Sequence, residues 1–382
     1  MKETLAWLRA PAAIRVRAEE MLKYAEDGRS QWFAVDPNGL ERAVQATLDV
    51  TRKRFASPAD IPFHSRWRHF EAGGRDRWAA LAPRLSGLPK DEVARRRIDL
   101  AVVSVLLDAG AGPDWRYREP GTGEVYARSE GLGVASFHMF ANGMFSRDPE
   151  GDPLRVDAER LRALVPMDVA MGFQVKAHNP MTGLDGRAGL LRKLGEVGLE
   201  RPGALFDLVA GGSEVKAAAI LAAVLDRLSP IWPTPMGDVW EHRALGLVPF
   251  HKLSQWLSYS LVEPIEGAGL PVVALDELTG LPEYRNGGLL VDAGALRPKQ
   301  TSLLTDSFAP GDEAIVEWRA LTVALLDRIG EHVRVHLRMD ATRLPLVKVL
   351  EAGTWFAGRM LAAERRPGGG PPIAVRSDGT VF

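Results

Sequence analysis

Cysteine is absent from this 382-residue chain. That removes disulfides, thiolate nucleophiles and every zinc or iron–sulfur site that needs a sulfur ligand. An excess of charge is missing too. Lys plus Arg number 48 and Asp plus Glu 49, for a formal net charge of −1. Such a balance gives no reason to expect duplex nucleic acid or an anionic membrane surface as a partner. Long apolar runs are also lacking. The "LAVVSVLL" stretch from Leu100 to Leu107 is far too short to span a bilayer. The N-terminal "MKETLAWLRAPAAIRVRAEEML" breaks its apolar residues with charges and contains no leader-like core. The expectation is a soluble cytoplasmic protein with neither a nucleic-acid nor a membrane partner.

What is present is apolar content, 46% of the chain, enough for a large core. It is arranged mostly at helical period. Helices are expected from Ala13 to Asp27, from Asp36-Pro37 to Arg54, from Asp91 to Asp108 and from Arg128 to Asn142, where Ser129 is a candidate N-cap. Further patterns run over Asp185–Val197, Ala204–Val209, Glu214–Leu228, Val248–Ile265, Glu313–Leu337 and Leu344–Arg365. Strand signals are few. "GLLVDAG" (Gly288 to Gly294) and the terminal "IAVRSDGTVF", with a turn at Asp378-Gly379, read as a small hairpin or ribbon. The fold class is therefore mainly α. It is read as one helical domain over 1–382, or as two lobes (about 1–200 and 201–382) around a shared cleft.

Five segments set polar groups among aromatics and turn residues. "IPFHSRWRHFEAGG" carries His64, Arg66, Trp67, Arg68 and His69, cations that suit a phosphate or other anion, or an Arg-on-Trp surface turn. "LLDAGAGPDWRYREPGTGE" places Asp108 and Asp114 on either side of a glycine-rich turn that matches no phosphate or dinucleotide loop. Asp238, with Trp240 and His242 beside it, stands before a buried helix. Desolvation there would raise its pKa and make it a general base, or it caps a short helix over Val239–His242. "LPEYRNGGLLVDAG" offers Glu283, Tyr284, Arg285 and Asn286 in a loop. "IVEWRALTVALLD" begins a buried helix with Glu317 and Arg319, as a dipole pair or a site.

One helix has an unusual polar face. In "VPFHKLSQWLSYSL" Phe250, Leu253, Trp256, Leu257 and Leu261 form an apolar stripe. The opposite face holds His251, Lys252, Ser254, Gln255, Ser258 and Tyr259, mostly neutral hydrogen-bonding groups. Such a face lines a ligand cleft or satisfies the ends of neighbouring helices. His332 and His336 have helix metal-pair spacing without a third ligand, and Ser213 with Lys216 reads as a helix start. No metal is expected.

The same stretches carry a resemblance. "IPFHSRWRHFEAGG", "DLAVVSVLLDAGAGPDWRY", "RSEGL", "LVPFHKLSQWLSYSL", "EYRNGGLLVD", "VEWRALTVALLD" and "SDGTVF" closely resemble the uracil-catabolism protein four family, from about Ala13 to Phe382. That family implies a pyrimidine-degradation route in which uracil becomes a ribonucleotide, the ring opens and urea is released. A fainter resemblance, over about the C-terminal third, is to the queuosine-salvage N-glycosidases. Their fold is related to helix-hairpin-helix DNA glycosylases. Pro249, Tyr259, Ser260, Glu317 and Arg319 match that family's pattern. Asp238, its catalytic aspartate by this match, stands further from the proline than the family spacing.

Chemistry then points to one step. While the ribose stays attached to the ureido fragment, urea cannot leave until the N-glycosidic bond breaks. The resemblance thus implies hydrolysis of ribosylurea, expected as its 5′-phosphate, with Asp238 as the acid that activates water and Glu317, Asp108 and Asp114 as the alternatives. His64, Arg66 and Arg68 would hold the phosphate, and Trp67 or Trp256 would stack on the substrate. His251 or Lys252 would protonate the leaving group. Gln255, Tyr259, Arg285, Asn286 and Arg319, with Asp108 and Asp114, complete the expected binding set. No cofactor is required, and association with other uracil-catabolism enzymes is an open expectation. The alternatives are a ureido C–N amidohydrolase and a non-catalytic scaffold or sensor.

Overall fold

The computed structural model describes residues 4–232 and 236–376. Helices and helical turns make up 58% of the protein, and among the described residues strands occur only as two-stranded pairs, so the class is mainly α. Among the described residues no helix is long and apolar enough to cross a membrane. The residues group into two compact units. One comprises the described parts of Met1–His64, Asp238–Gln255 and Ala274–Arg376; the other comprises those of Ser65–Gly237 and Trp256–Val273.

The first unit is organised by the long helix Glu313–Leu337, which packs on Pro11–Glu26 and Pro37–Arg54. Its residues Ala314 to Leu326 are all buried, so this stretch runs through the interior rather than along the surface. Asp36 caps Pro37–Arg54 by accepting from the Asn38 amide at 3.0 Å, with Pro37 pre-set for the first turn. Strand Phe33–Val35 pairs antiparallel with Leu296–Pro298. Ala374–Val375 pairs parallel with Ser307–Phe308; the expected turn at Asp378-Gly379 lies outside the described residues.

Two expectations are corrected here. "GLLVDAG" is not a strand: Tyr284–Asp292 is a helix, N-capped by Glu283, and its buried glycines face other elements. A Cβ at Gly287 would lie 2.8 Å from the Trp318 indole, and one at Gly358 would strike the Arg285 backbone carbonyl. The glycines are there for close approach, which a sequence pattern reads as strand or turn. Likewise Val239–His242 is a strand, paired with Gly246–Pro249 in a hairpin. Asp238 therefore caps no helix over Val239–His242. Pro249 ends a strand rather than starting a helix, and the helix begins at Lys252 and runs to Gly267. His251, at φ 47°, turns the chain between them in the left-handed region, where a non-glycine residue is uncommon.

The last helical stretch is not uniform. Leu346–Val349 and Trp355–Arg365 are α-helical, but Leu350–Thr354 between them is a π-turn. Gly353 sits so close to Pro37–Arg54 that a Cβ would lie 2.5 Å from Thr47 Cγ2. Such one-residue expansions re-aim side chains and are frequent at functional sites.

In the second unit Lys90–Leu106 is the central helix, with Ile98 to Leu106 continuously buried. Arg128–Ala141 packs on it; Ala127, not Ser129, occupies its N-cap position, and Arg128 has φ 54°. Asp99 is fully buried and paired with Arg201 at 2.5 Å and the Gly203 amide at 2.6 Å. The Ser213–Lys216 stretch leads into a short strand rather than a cap, and Ala217–Leu228 follows.

Gly358→Ala tests the close approach. Forcing a methyl against the Arg285 carbonyl should cost about 1–3 kcal/mol or more, because a backbone atom cannot rotate away. Urea denaturation of the variant should show the midpoint falling at unchanged slope; an unchanged midpoint would rule out the contact.

Candidate functional site

The expected site residues divide between the units. His64, Asp238, His251, Lys252, Gln255, Arg285, Asn286, Glu317 and Arg319 belong to the first. Arg66, Trp67, Arg68, Asp108, Asp114, Trp256 and Tyr259 belong to the second.

In the first unit Asp238 follows from its surroundings. Arg319 reaches it bidentately, Nη1 to Oδ1 at 2.8 Å and Nη2 to Oδ2 at 2.6 Å. Trp240 Nε1 donates to Oδ1 at 2.7 Å, and the Lys252 amide to Oδ2 at 3.0 Å. All four lone-pair positions of the carboxylate are filled. Burial pushes its pKa up, but the Arg319 charge and these hydrogen bonds outweigh it and hold the value at about 2. The expectation of a raised, basic Asp238 is reversed. Its electrostatics are those of a clamp: it binds the hairpin, the start of the Lys252 helix and the Glu313–Leu337 helix at one point.

Glu317 is fully buried. Its Oε2 accepts from Ser30 Oγ at 2.5 Å and its Oε1 lies 3.2 Å from His242 Nε2, which is equally far from Glu313. His242, Glu313 and Glu317 are spaced as a metal-capable trio. However, His242 Nδ1 accepts from the Ala244 amide at 3.3 Å. That fixes the ring hydrogen on Nε2, where it is donated to the carboxylates and leaves no lone pair for a cation.

The polar face of the Lys252 helix is also explained. Ser254, Gln255, Ser258, Tyr259 and Ser260 are all buried. Gln255 accepts from the Thr279 amide at 2.8 Å and donates to the Phe250 carbonyl at 3.0 Å. Both its ends are used by the protein, so the second of the two alternatives describes it: it satisfies backbone. His251 Nε2 bonds the Leu8 carbonyl at 2.9 Å, and burial holds its pKa down. A neutral imidazole already committed to a carbonyl is no leaving-group donor, which corrects that expectation.

Sequence reasoning passed over two acids in this unit. In the sequence Glu283 reads as a loop residue with no assigned role, and Glu351 lies in no motif. Glu283 accepts from the Arg285 amide at 2.7 Å and the Asn286 amide at 2.6 Å, so one lone pair on each oxygen stays open. Desolvation raises its pKa against those hydrogen bonds and against the positive charges of Lys252 and His64. The residue keeps part of its surface exposed. Arg285 itself is committed to the Gly369 carbonyl at 2.9 Å, and Asn286 Nδ2 to Leu281 at 3.1 Å. Glu351, on the π-turn, receives His64 Nδ1 at 2.8 Å and Arg54 Nη2 at 2.9 Å.

In the second unit Arg66 is wholly buried, with Nη1 2.9 Å from Asp108 and Nε donating to Ser104 at 2.6 Å. Arg68 pairs with Glu263 at 2.7 Å and Glu71 at 3.1 Å. Every cation of the expected phosphate set (His64 with Glu351 included) already faces a carboxylate. A phosphate would have to compete with each, so a free cationic cluster is not what this sequence folds into. Trp67 is closed in by Phe70 at 5.4 Å and Trp78 at 5.6 Å, with its indole hydrogen on the Ser260 carbonyl at 2.8 Å. Trp256 lies against His69 at 5.8 Å and Arg66 at 5.6 Å. Asp114 is exposed.

What defines the class is therefore a mainly helical protein in which a carboxyl raised by desolvation, on a half-buried residue, stands apart from carboxylates tied up in clamps. The family model described as "Protein of unknown function (DUF1688)" matches residues 7–382, and the chain belongs to that family. It is 39% identical over 399 residues to "Protein urg3" of Schizosaccharomyces pombe (strain 972 / ATCC 24843), covering 100% of this chain and 99% of that one. It is 36% identical over 437 residues to "Uracil catabolism protein 4" of Lachancea kluyveri, covering 99% of each.

Asp238→Asn should lower stability by about 3–5 kcal/mol, because Arg319 is left buried without its counter-charge. The pH dependence follows from the sign. A carboxylate held below its ordinary value stabilises the fold above its unfolded pKa, and that stabilisation is lost as pH falls through about 2. Denaturation of wild type and variant between neutral pH and pH 2 should therefore converge. A gap that stays constant over this range would refute the clamp.

Proposed function

We propose that this protein serves uracil catabolism as an N-ribosyl hydrolase that releases urea from ribosylurea. The name of the L. kluyveri relative supports the pathway. The chemistry rests on Glu283, a half-buried residue whose carboxyl accepts only backbone amides among the described residues and is pushed up by burial. A carboxylate of raised pKa is a better base than an ordinary one near neutrality. Its negative charge stabilises the oxocarbenium-like sugar as the C1′–N bond breaks, and it then takes the proton from the water that adds to C1′. Oxygen-linked glycosidases solve the same problem with the same functional group. Asp238 keeps its place in this reading as the residue that sets the geometry of Lys252, whose positive charge acts on Glu283.

The test is a urea-coupled assay on the purified protein, supplied with ribosylurea and ribosylurea 5′-phosphate. Urea should form together with free sugar or sugar phosphate. Glu283→Gln should reduce kcat on the order of 10²–10⁴-fold, the usual worth of a general base. In the wild type the acid limb of the rate profile should lie above the ordinary carboxylate range, since activity appears only as pH rises through the raised pKa of Glu283. Ammonia in place of urea would instead indicate cleavage of the ureido C–N bond. Binding of either compound without turnover would indicate a sensor or scaffold, and both results reject the hydrolase reading.

A further inference from the structure

His64 is more than nine-tenths buried, yet only half of its hydrogen-bonding capacity is used. Nδ1 is held by Glu351 Oε2 at 2.8 Å. Among the described residues Nε2 has no hydrogen-bond partner. The backbone is fixed as well, because the His64 amide donates to the Val347 carbonyl at 3.1 Å, in the helix that leads into the π-turn. Glu351 is fixed from its other side by Arg54 at 2.9 Å, and Arg54 lies on the Phe356 ring at 3.4 Å. The Trp355 ring stands 6.4 Å from the imidazole. Gly353, pressed on Thr47, keeps the π-turn where it is. An imidazole oriented by a carboxylate on one nitrogen and open on the other is the arrangement of a proton carrier. The charged groups that act on this ring or its partner are Glu351 from the π-turn, Arg54 from Pro37–Arg54, and Glu283 from the start of Tyr284–Asp292.

We propose that His64 donates the proton to the departing urea nitrogen, with Glu351 as its positioning residue. The proposal rests on the N-ribosyl hydrolase reading and supplies the group that reading lacks. The step balances as follows. The C1′–N bond breaks and its electron pair goes to nitrogen. That nitrogen takes the Nε2 hydrogen of the His64 imidazolium, and neutral urea leaves. Water adds its oxygen to C1′ and gives a proton to the Glu283 carboxylate. Transfer of that proton back to His64 through solvent restores both groups, so the net reaction is ribosylurea plus water to ribose plus urea. Urea nitrogen is a poor leaving group and needs the proton. A 4-nitrophenolate does not.

That difference makes the test. His64→Gln, Glu351→Gln and wild type are compared on ribosylurea and on 4-nitrophenyl β-D-ribofuranoside. With His64→Gln, kcat on ribosylurea should fall on the order of 10²–10⁴-fold, while the nitrophenyl riboside loses less than about tenfold. A purely structural role would reduce both alike, and equal losses overturn the proposal. Glu351→Gln gives a second reading should His64→Gln fold poorly or the nitrophenyl riboside be refused. Without the carboxylate the ring is no longer held on Nδ1, so kcat on ribosylurea should fall while KM stays within about threefold of wild type; an unchanged kcat also overturns it. If wild type releases no urea, the hydrolase reading fails and this proposal with it. If wild type is active and His64→Gln is equally active, only the proposal falls.

Discussion

The pair between Asp238 and Arg319 is the constraint on which the first unit depends. Four donors from three elements meet on one carboxylate: a hairpin tryptophan, a helix-opening amide and a bidentate guanidinium from the long buried helix. Burying a charge pair is expensive, and the cost is offset only when geometry is good and every remaining lone pair is satisfied. Here both conditions hold. The consequence is positional: with Oδ2 on the Lys252 amide, the first turn of that helix cannot slide relative to the hairpin, and the left-handed His251 between them is held in place. Arg319 also lies over the Phe250 ring at 4.0 Å, so the same guanidinium fixes the strand-to-helix corner from its apolar side.

Within that frame the acids of the unit separate by environment. Asp238 is held down by a guanidinium, and Glu351 by an imidazole and a guanidinium that overcome its burial. Glu317 is enclosed by a serine and a histidine. Glu283 accepts only backbone amides, and desolvation prevails. Neighbouring carboxyls pushed to opposite sides of their ordinary value are how one protein obtains both a fixed charge and a usable base. In the proposed reading the choice of Glu283 as general base follows from counting partners rather than from proximity to any motif.

Much of the fold was legible in the sequence. The expected helix Glu313–Leu337 matches the observed one, and Asp36-Pro37 marks the opening of its helix correctly. These are local signals with a single physical cause. The errors share another cause. Gly287, Gly288 and Gly358 look like breakers, but they are glycine because indole, proline and carbonyl neighbours come within van der Waals range. "GLLVDAG" was therefore read as strand when its apolar residues are the buried face of a helix. Asp238 was found but its electrostatics were inverted, because its partner Arg319 is 81 residues away and no spacing rule connects them. Glu351 carried no signal: "VLEAGTW" is an unremarkable helical string, and what matters is the extra residue in its turn.

That extra residue also explains why the His64–Glu351 contact is built as it is. In an uninterrupted α-helix the residues following Leu350 would advance by 100° each. The π-turn absorbs one residue, so Glu351 and Trp355 are presented differently from an unbroken register while the flanking helices keep their own packing. The expansion leaves backbone that must be supported, and the support is external. Thr47 and Thr51 bond back to their own helix at 2.8 Å each, which turns their methyl and hydroxyl groups into a fixed surface, and only a glycine at 353 can meet it. A helix irregularity held by a glycine contact, carrying a buried carboxylate that orients a half-free histidine, is costly for packing alone. An unbroken helix with an apolar residue in place of Glu351 would fill the same volume without burying a charge, and that cost is what favours the proposed role of His64 over a purely structural one.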